Sequence, residues 1–202
     1  DSSASDGTTG TVTCDIIGSG YQGTSMACPA AAAAAILTRQ YFVDGYHPEG
    51  TPDAENGFIP TAALIRGVLI NGAADMTDAA HRPNNDQGWG RILLDDSLYL
   101  YGDSLRLRVE DNSDGVTTGD VEEFIVTVDS NAAPLRITLT WTDYPGDTLV
   151  NDLDLELVKG GQTWYGNNFT DGWTDTGTTV DRSLPTECIF LNTADVTPGE
   201  YA

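Results

Sequence analysis

The hydrophobic positions of this 202-residue chain follow two different spacings, one in each half. In residues 1–102 the alanine-rich run 26–37 is continuously apolar, and apolar side chains recur at helical intervals in residues 64–69. In residues 103–202 apolar and polar side chains alternate, which is typical of strands with one buried face. The chain is therefore expected to combine a helical first half with a β-rich second half.

The alanine-rich run predicts a long helix that begins beside Ser25 and ends near Asp44 and Gly45. Residues 30–35 are all alanine, which favours a helix and lets other elements pack close to its axis. We therefore expect a central, buried helix. Pro29 is expected within the first turn, where a missing N–H costs nothing.

A second helix is predicted from Thr61 to about Asn71, with Gly72 ending it. The segment 46–60 is rich in proline and glycine and is expected to be a surface loop. The glycines of the segment 84–92 predict a tight turn, and Trp89 within it is expected to be packed rather than functional.

Four segments of the second half alternate apolar and polar side chains, and turn-forming residues separate them. This pattern predicts an antiparallel β-sandwich, with a jelly roll as one suitable arrangement. The alternating segments are 105–109, 124–128, 135–141 and 153–157.

The composition limits the partners of the chain. Its formal net charge of −22 would repel nucleic acid and anionic membranes. The longest apolar stretch, around residues 26–37, is too short to cross a bilayer, so no membrane segment is expected. The chain starts at Asp1 without a signal-like segment and stops in what is expected to be the opening of a final strand. Both ends are therefore expected to be cut from a longer protein.

Ser25 is the first candidate for chemistry, because it is expected where a helix begins. The first N–H groups of a helix have no partner within it, and they carry partial positive charge. An oxyanion formed next to Ser25 would be stabilised there, partly by the serine's own N–H. The alternative is that Ser25 only caps the helix, which is the commoner role of an isolated serine at this position.

The string G-T-S-M-A-C-P, residues 23–29, closely resembles the nucleophile motif of the subtilisin-like serine proteases. The resemblance implies the C-terminal part of a three-layer α/β catalytic domain in residues 1–102. It makes Ser25 the acyl-forming nucleophile, with its N–H as an oxyanion donor, and it places the backbone of Gly23 and Thr24 along the substrate site. Ala33 stands where the family usually has glycine, which we interpret as a tolerated variation.

The same resemblance places the catalytic Asp, the catalytic His and the oxyanion Asn upstream of this chain. His47 and His81 both follow Ser25 and lack the H-G-T context of the family. Each is expected to be a surface histidine and not the general base. The chain by itself is therefore expected to be inactive.

Residues 103–202 resemble the β-sandwich that follows the catalytic domain in some alkaline subtilisin-like proteases, here truncated at its C-terminus. The matching pieces are L-R-I-T-L-T-W-T-D-Y-P, L-V-N-D-L-D-L, G-N-N-F-T and P-G-E-Y. Calcium is the implied ligand, since it prefers hard oxygen donors. Asp152 and Asp154 are the first candidates in a group that also holds Asp143 and Asp147. The alternative is that Asp152 and Asp154 only decorate the wet face of a strand.

The three cysteines, Cys14, Cys28 and Cys188, fit no metal-ligand spacing. Their odd number leaves at least one unpaired. A disulfide between Cys14 and Cys28 and a pair of buried thiols remain alternatives.

Taken together, the motif and the resemblance predict a serine-type endopeptidase acting on proteins or peptides, secreted or extracytoplasmic. One alternative is a catalytically inactive relative that serves as a binding or structural module. A stand-alone carbohydrate- or protein-binding sandwich is a weaker alternative, because it leaves the segment 23–29 unexplained.

Overall fold

The computed structural model describes residues 23–76, 80–146, 148–177 and 181–202. In this part of the chain, helices come first and short antiparallel strands follow. The helices are α1 (Thr24–Val43), a 3₁₀ turn (Ala54–Asn56), α2 (Ala62–Asn71) and α3 (Leu94–Ser97). The strands are β1 (Val126–Val128), β2 (Leu135–Thr140), β3 (Glu156–Lys159), β4 (Gln162–Thr170), β5 (Trp173–Thr176), β6 (Thr186–Leu191) and β7 (Gly199–Tyr201).

Helix α1 forms where the sequence predicts it, but it is not buried along its length. Its buried side chains form one stripe at helical spacing in the second half of the helix, comprising Ala34, Thr38, Tyr41 and Phe42. Ile36 and Leu37 remain 67% and 50% exposed. The prediction of a buried helix is therefore wrong for most of α1 in this structure. The stripe packs on α2, and alanine side chains on the other faces contact little in the described residues.

Helix α2 begins and ends where the sequence predicts. The Thr61 hydroxyl accepts a hydrogen bond from Leu64 N–H at 3.0 Å, which caps the helix. Gly72 follows the last helical residue, and a Cβ added there would lie 2.3–2.5 Å from atoms of Ser97. Glycine is therefore required at this position by the close approach of α3.

The described part of the second half contains three antiparallel sheets: β1 with β7, β2 with β6, and β3–β4–β5. Strands β2 and β6 pair from Leu135 opposite Leu191 to Thr140 opposite Thr186. The prediction of antiparallel strands is confirmed at the segments 124–128, 135–141 and 153–157, although the strands are shorter than the alternating segments. Among the described residues no closed barrel forms.

The alternating segment 105–109 does not form a strand, so that prediction is wrong. Leu107 and Val109 instead pack against a cluster of helix residues, Tyr41, Phe42 and Val68. The alternation arises because one face of this segment is buried. That face packs on helices and not on a sheet. A second cluster lies within the strands and comprises Leu157, Trp164, Ile189, Leu191, Val196 and Tyr201.

Helix α2 joins the helices to the strands. Its cap residue Thr61 donates its N–H and its hydroxyl to Asp111, at 2.8 and 2.7 Å. Further along, Arg66 donates to the carbonyl oxygens of Trp141 and Pro185, at 2.6 and 2.8 Å. Side chains on both sides of residue 102 thus share one contact surface, and a domain boundary there stays a prediction.

The described segments contain no helix with the length and hydropathy needed to cross a membrane.

Candidate active site at the start of the first helix

The turn before α1 is made by Gly23, which is the N-cap residue of the helix. Its φ of 142° lies in the region that favours glycine, while no described atom would obstruct a Cβ there. The backbone conformation, and not lack of space, therefore requires glycine. The Gly23 carbonyl accepts from Met26 N–H and Ala27 N–H, both at 3.1 Å, which closes the first turn.

Ser25 is the second residue of α1 and is exposed. Because Gly23 holds the cap position, and no side-chain cap bond is made there, the interpretation of Ser25 as a capping serine is wrong. The N–H groups of Thr24 and Ser25 belong to the first turn, where a helix supplies no acceptor for them. The structure thus places an accessible hydroxyl beside backbone donors at the positive end of a helix dipole.

Pro29 is the sixth residue of α1 and lies beyond the first turn, contrary to the prediction. In a regular helix the N–H of residue 29 would bond to the carbonyl of Ser25. Proline has no N–H, so the Ser25 carbonyl lacks this helical partner. The start of α1 is therefore less tightly hydrogen-bonded than the alanine run predicts.

His47 lies at the other end of α1. Its ring packs on Phe42 with the centroids 5.9 Å apart, about 25 Å from Ser25 along the helix axis. The ring is half-buried, and its Nε2 is buried without a partner in the described residues, so the prediction of a surface histidine is wrong here. Burial lowers the pKa of His47, because it disfavours the charged ring.

His81 is exposed, as predicted, and pairs with a carboxylate. Its Nδ1 lies 3.0 Å from the Asp75 carboxylate, which also accepts the Arg82 N–H at 2.8 Å. These residues lie in the segment after α2 and contact the turn after β4. His81 therefore helps to hold this segment against the strands. Neither histidine of the chain is placed with Ser25 as a general base.

The predicted calcium ligands lie near the start of β3. Asp152 and Asp154 are exposed. The Oδ2 atom of Asp152 lies 3.4 Å from Nη1 of Arg182. Asp143 accepts from the backbone N–H groups of Val150 and Asn151, so it closes a loop. Asp147 lies outside the described residues. In the described ranges no three His, Cys, Asp or Glu side chains are arranged to hold a metal ion.

Glu187, the second residue of β6, carries a buried carboxyl group that was not predicted. It is only 2% exposed; one oxygen accepts the Leu155 N–H, and Oε1 has no partner in the described residues. Burial, aided by the charges of Asp154, Asp181 and Asp152, raises the pKa of Glu187 to about 7. The sequence signal for this buried carboxyl group is a glutamate inside an otherwise uncharged strand.

The two cysteines in the described segments have different surroundings. Cys28 is exposed on α1, and Cys188 is buried in β6, where burial raises the pKa of its thiol to about 12. Cys14 lies outside the described residues, so a disulfide to Cys28 stays a prediction.

Comparison with known proteins finds a match in the part of the chain that contains Ser25. Residues 4–90 match the model of the subtilase family. The chain is similar to "Serine protease/ABC transporter B family protein tagA" of Dictyostelium discoideum, with 33% identity over 188 residues, 87% of this chain and 10% of that protein. The proteins of the same description named tagB and tagD, from the same organism, are each 28% identical, covering 68% of this chain and 10% of their own length. The chain spans about a tenth of the length of these relatives.

Proposed function

We propose that this chain, whose residues 4–90 belong to the subtilase family, carries at Ser25 the nucleophile of a serine endopeptidase. The observation that supports this most is the geometry of the first turn. Gly23 takes the cap position and leaves Ser25 exposed beside the free N–H groups of the helix start.

In the proposed reaction Ser25 Oγ attacks the scissile carbonyl carbon, and its proton passes to a histidine upstream of this chain. The Ser25 N–H stabilises the oxyanion that forms, and the backbone of Gly23 and Thr24 borders the substrate. The C–N bond then breaks, the leaving amine takes the proton from the histidine, and water hydrolyses the acyl ester on Ser25.

The chain by itself is proposed to be inactive, since the catalytic Asp, His and oxyanion Asn would come from upstream sequence. The exposed apolar side chains of α1, Ile36 and Leu37 among them, support this proposal. Apolar side chains on a helix of this kind are normally covered by other parts of a domain. The upstream part of the catalytic domain would provide that cover.

The strands that follow are proposed to form the jelly-roll sandwich implied by the resemblance. The antiparallel sheets and the buried cluster around Leu157 and Ile189 support a sandwich core. We propose proteins or peptides as substrates and a secreted or extracytoplasmic location. No nucleic-acid partner is proposed, because the net charge of −22 opposes one.

Calcium remains a structural proposal for Asp152 and Asp154. The negative charges of both carboxylates contribute to the raised pKa of Glu187. The buried Oε1 of Glu187 has no partner in the described residues. A cation there would neutralise crowded negative charge. The present side chains fit it only in part, since Arg182 already pairs with Asp152, and backbone oxygens or water would have to complete the shell. Calorimetric titration with calcium should give heat that Asp152→Ala removes; an unchanged titration would reject the site.

Peptide hydrolysis by the full-length protein that carries this chain tests the proposed function. Ser25→Ala should abolish turnover, because it removes the attacking oxygen, while Ser183→Ala at an exposed position should leave turnover unchanged. The 202-residue chain on its own should show no turnover. If Ser25→Ala kept the wild-type rate, the assignment would be wrong.

A second candidate is a catalytically inactive relative that acts as a binding module. It is compatible with the placement of His47 and His81, since neither serves Ser25 and a catalytic histidine would have to lie elsewhere. A full-length protein that folds but hydrolyses no peptide would support this candidate.

A further inference from the structure

A cavity of about 210 Å³ lies where the segment after α2 meets the strands, away from Ser25. Two arginines line it, Arg82 from the segment after α2 and Arg136 from β2. Its walls also include the aromatic rings of Trp173 and Phe190. The cavity therefore combines positive charge with apolar surface.

Arg82 is the buried member of the pair, with only 7% of its surface exposed. Its guanidinium carbon lies 5.7 Å from the centroid of the Phe190 ring. The side-chain Nε is buried and has no hydrogen-bond partner in the described residues. A guanidinium group can only donate hydrogen bonds. The Nε–H of Arg82 therefore requires an acceptor oxygen from another group.

Arg136 brings a second positive charge to the same place. It stands directly opposite Phe190 in the β2–β6 ladder, and Nη1 donates to the Asn71 carbonyl at a long 3.4 Å. Burial and the charge of Arg136 both lower the pKa of Arg82. The two guanidinium groups thus share one aromatic neighbour and repel each other.

No described carboxylate forms an ion pair with either arginine. The three ion pairs of the described segments are His81–Asp75, Arg108–Glu110 and Arg182–Asp152. Asp75 borders the cavity, but it is held by the His81 ring and the Arg82 backbone. Asp171 also borders the cavity, and it is exposed at a turn.

This arrangement is unusual for a chain with 31 acidic and 9 basic side chains. A buried charge is costly unless it is paired, and two adjacent like charges raise the cost. Arginine matches the planar, two-oxygen shape of a carboxylate, to which it donates two parallel hydrogen bonds. A carboxylate would therefore complement the two guanidinium groups.

We propose that the cavity binds the carboxylate of a peptide or of a small organic acid, held by Arg82 and Arg136. Trp173 and Phe190 pack against the apolar atoms next to that carboxylate. The site uses no residue of the Ser25 region, so the proposal does not depend on the peptidase function.

Calorimetric titration of the full-length protein with benzoate tests the site, with benzamide as the uncharged control of the same shape. Benzoate should bind and benzamide should not. Arg136→Gln should weaken benzoate binding about tenfold or more, because one charged pairing is lost. Arg182→Gln, which removes an exposed arginine elsewhere, should leave binding unchanged.

A set of matched peptides distinguishes the sources of the carboxylate. One peptide with a free C-terminus is compared with its C-terminal amide, and with an amidated peptide that contains aspartate. Binding of the free C-terminus identifies a terminal carboxylate, and binding of the aspartate peptide identifies an acidic side chain. If benzoate alone binds, the ligand is a small acid.

Two further results would overturn the proposal. The first is benzoate affinity that Arg136→Gln and Arg82→Met both leave intact while circular dichroism shows native folding. The second is a folded wild-type protein that binds neither benzoate nor any of the carboxylate peptides.

Discussion

Pro29 stands four residues after Ser25 on the first helix, so it withholds the N–H that the Ser25 carbonyl would otherwise accept. The alanines that follow have full helix propensity, which makes the proline the weak point of the helix. The first turn is closed instead by the Gly23 carbonyl, which accepts two N–H groups. The turn that contains the proposed nucleophile is therefore stabilised mainly by the Gly23 carbonyl, which lies N-terminal to Ser25.

Replacing Pro29 by alanine should stabilise the chain. The change restores the helical hydrogen bond to Ser25 and removes the proline ring, so the free energy of unfolding should rise by about 1–3 kcal/mol. Urea denaturation followed by circular dichroism measures it. Pro52→Ala, in the loop before the 3₁₀ turn, should give no such gain. Equal stability of Pro29→Ala and the wild type would show that the proline does not weaken the helix.

Asp111 should contribute to stability by holding the start of α2. Its carboxylate accepts both the N–H and the hydroxyl of Thr61, the residue that caps α2. Asp111→Ala should lower the free energy of unfolding by about 1–3 kcal/mol, because two hydrogen bonds to a charged group are lost. Chemical denaturation provides the measurement. Asp114→Ala, at an exposed position three residues on, should stay close to wild type; equal losses in the two variants would contradict this role.

Glu187 should make stability fall as pH rises. Its pKa is about 7 in the folded protein, against an ordinary value of 4.5, mainly because burial disfavours the ionised carboxylate. Below about pH 4.5 the group is protonated in both states, and its contribution is fully present. As pH rises towards 7 only the unfolded chain loses the proton, so the contribution is lost across that window.

Glu187→Gln should remove this dependence. The difference in unfolding free energy between wild type and variant should change by roughly 3 kcal/mol between pH 4.5 and 7, at about 1.4 kcal/mol per pH unit. Denaturation curves at several pH values measure it, with Glu156→Gln on the exposed face of β3 as the control. Parallel pH profiles for Glu187→Gln and the wild type would show that the buried carboxyl does not titrate in this window.

Local signals in the sequence predicted the second helix best. A capping threonine precedes it and a glycine follows it, and both act through backbone groups nearby. The position of Ser25 at a helix start is predicted from the glycine-flanked turn and the alanine-rich run that follows it. The identity of the cap residue was not predicted, because only the observed φ of Gly23 shows that glycine, and not serine, makes the turn.

Features that depend on distant partners were not predicted. The alternation of residues 105–109 records burial of one face without naming what buries it, and helices do so here. The burial of His47 depends on its contacts with Phe42 and with the backbone of Leu107, and the approach of Arg82 to Arg136 joins segments 54 residues apart. Sequence spacing carries no information about such contacts, whereas a lone charged residue within a strand, as at Glu187, does give a warning.

The reactivity of Ser25 shows whether the start of α1 carries an activated nucleophile. The full-length protein that carries this chain is treated with a fluorophosphonate, which forms a covalent bond only with an activated serine, and the modified residue is located by peptide mass spectrometry. We expect one label on the peptide that contains Ser25, and no label in Ser25→Ala or in the 202-residue chain alone. A folded full-length protein that stays unlabelled, or a label on another serine, would contradict it.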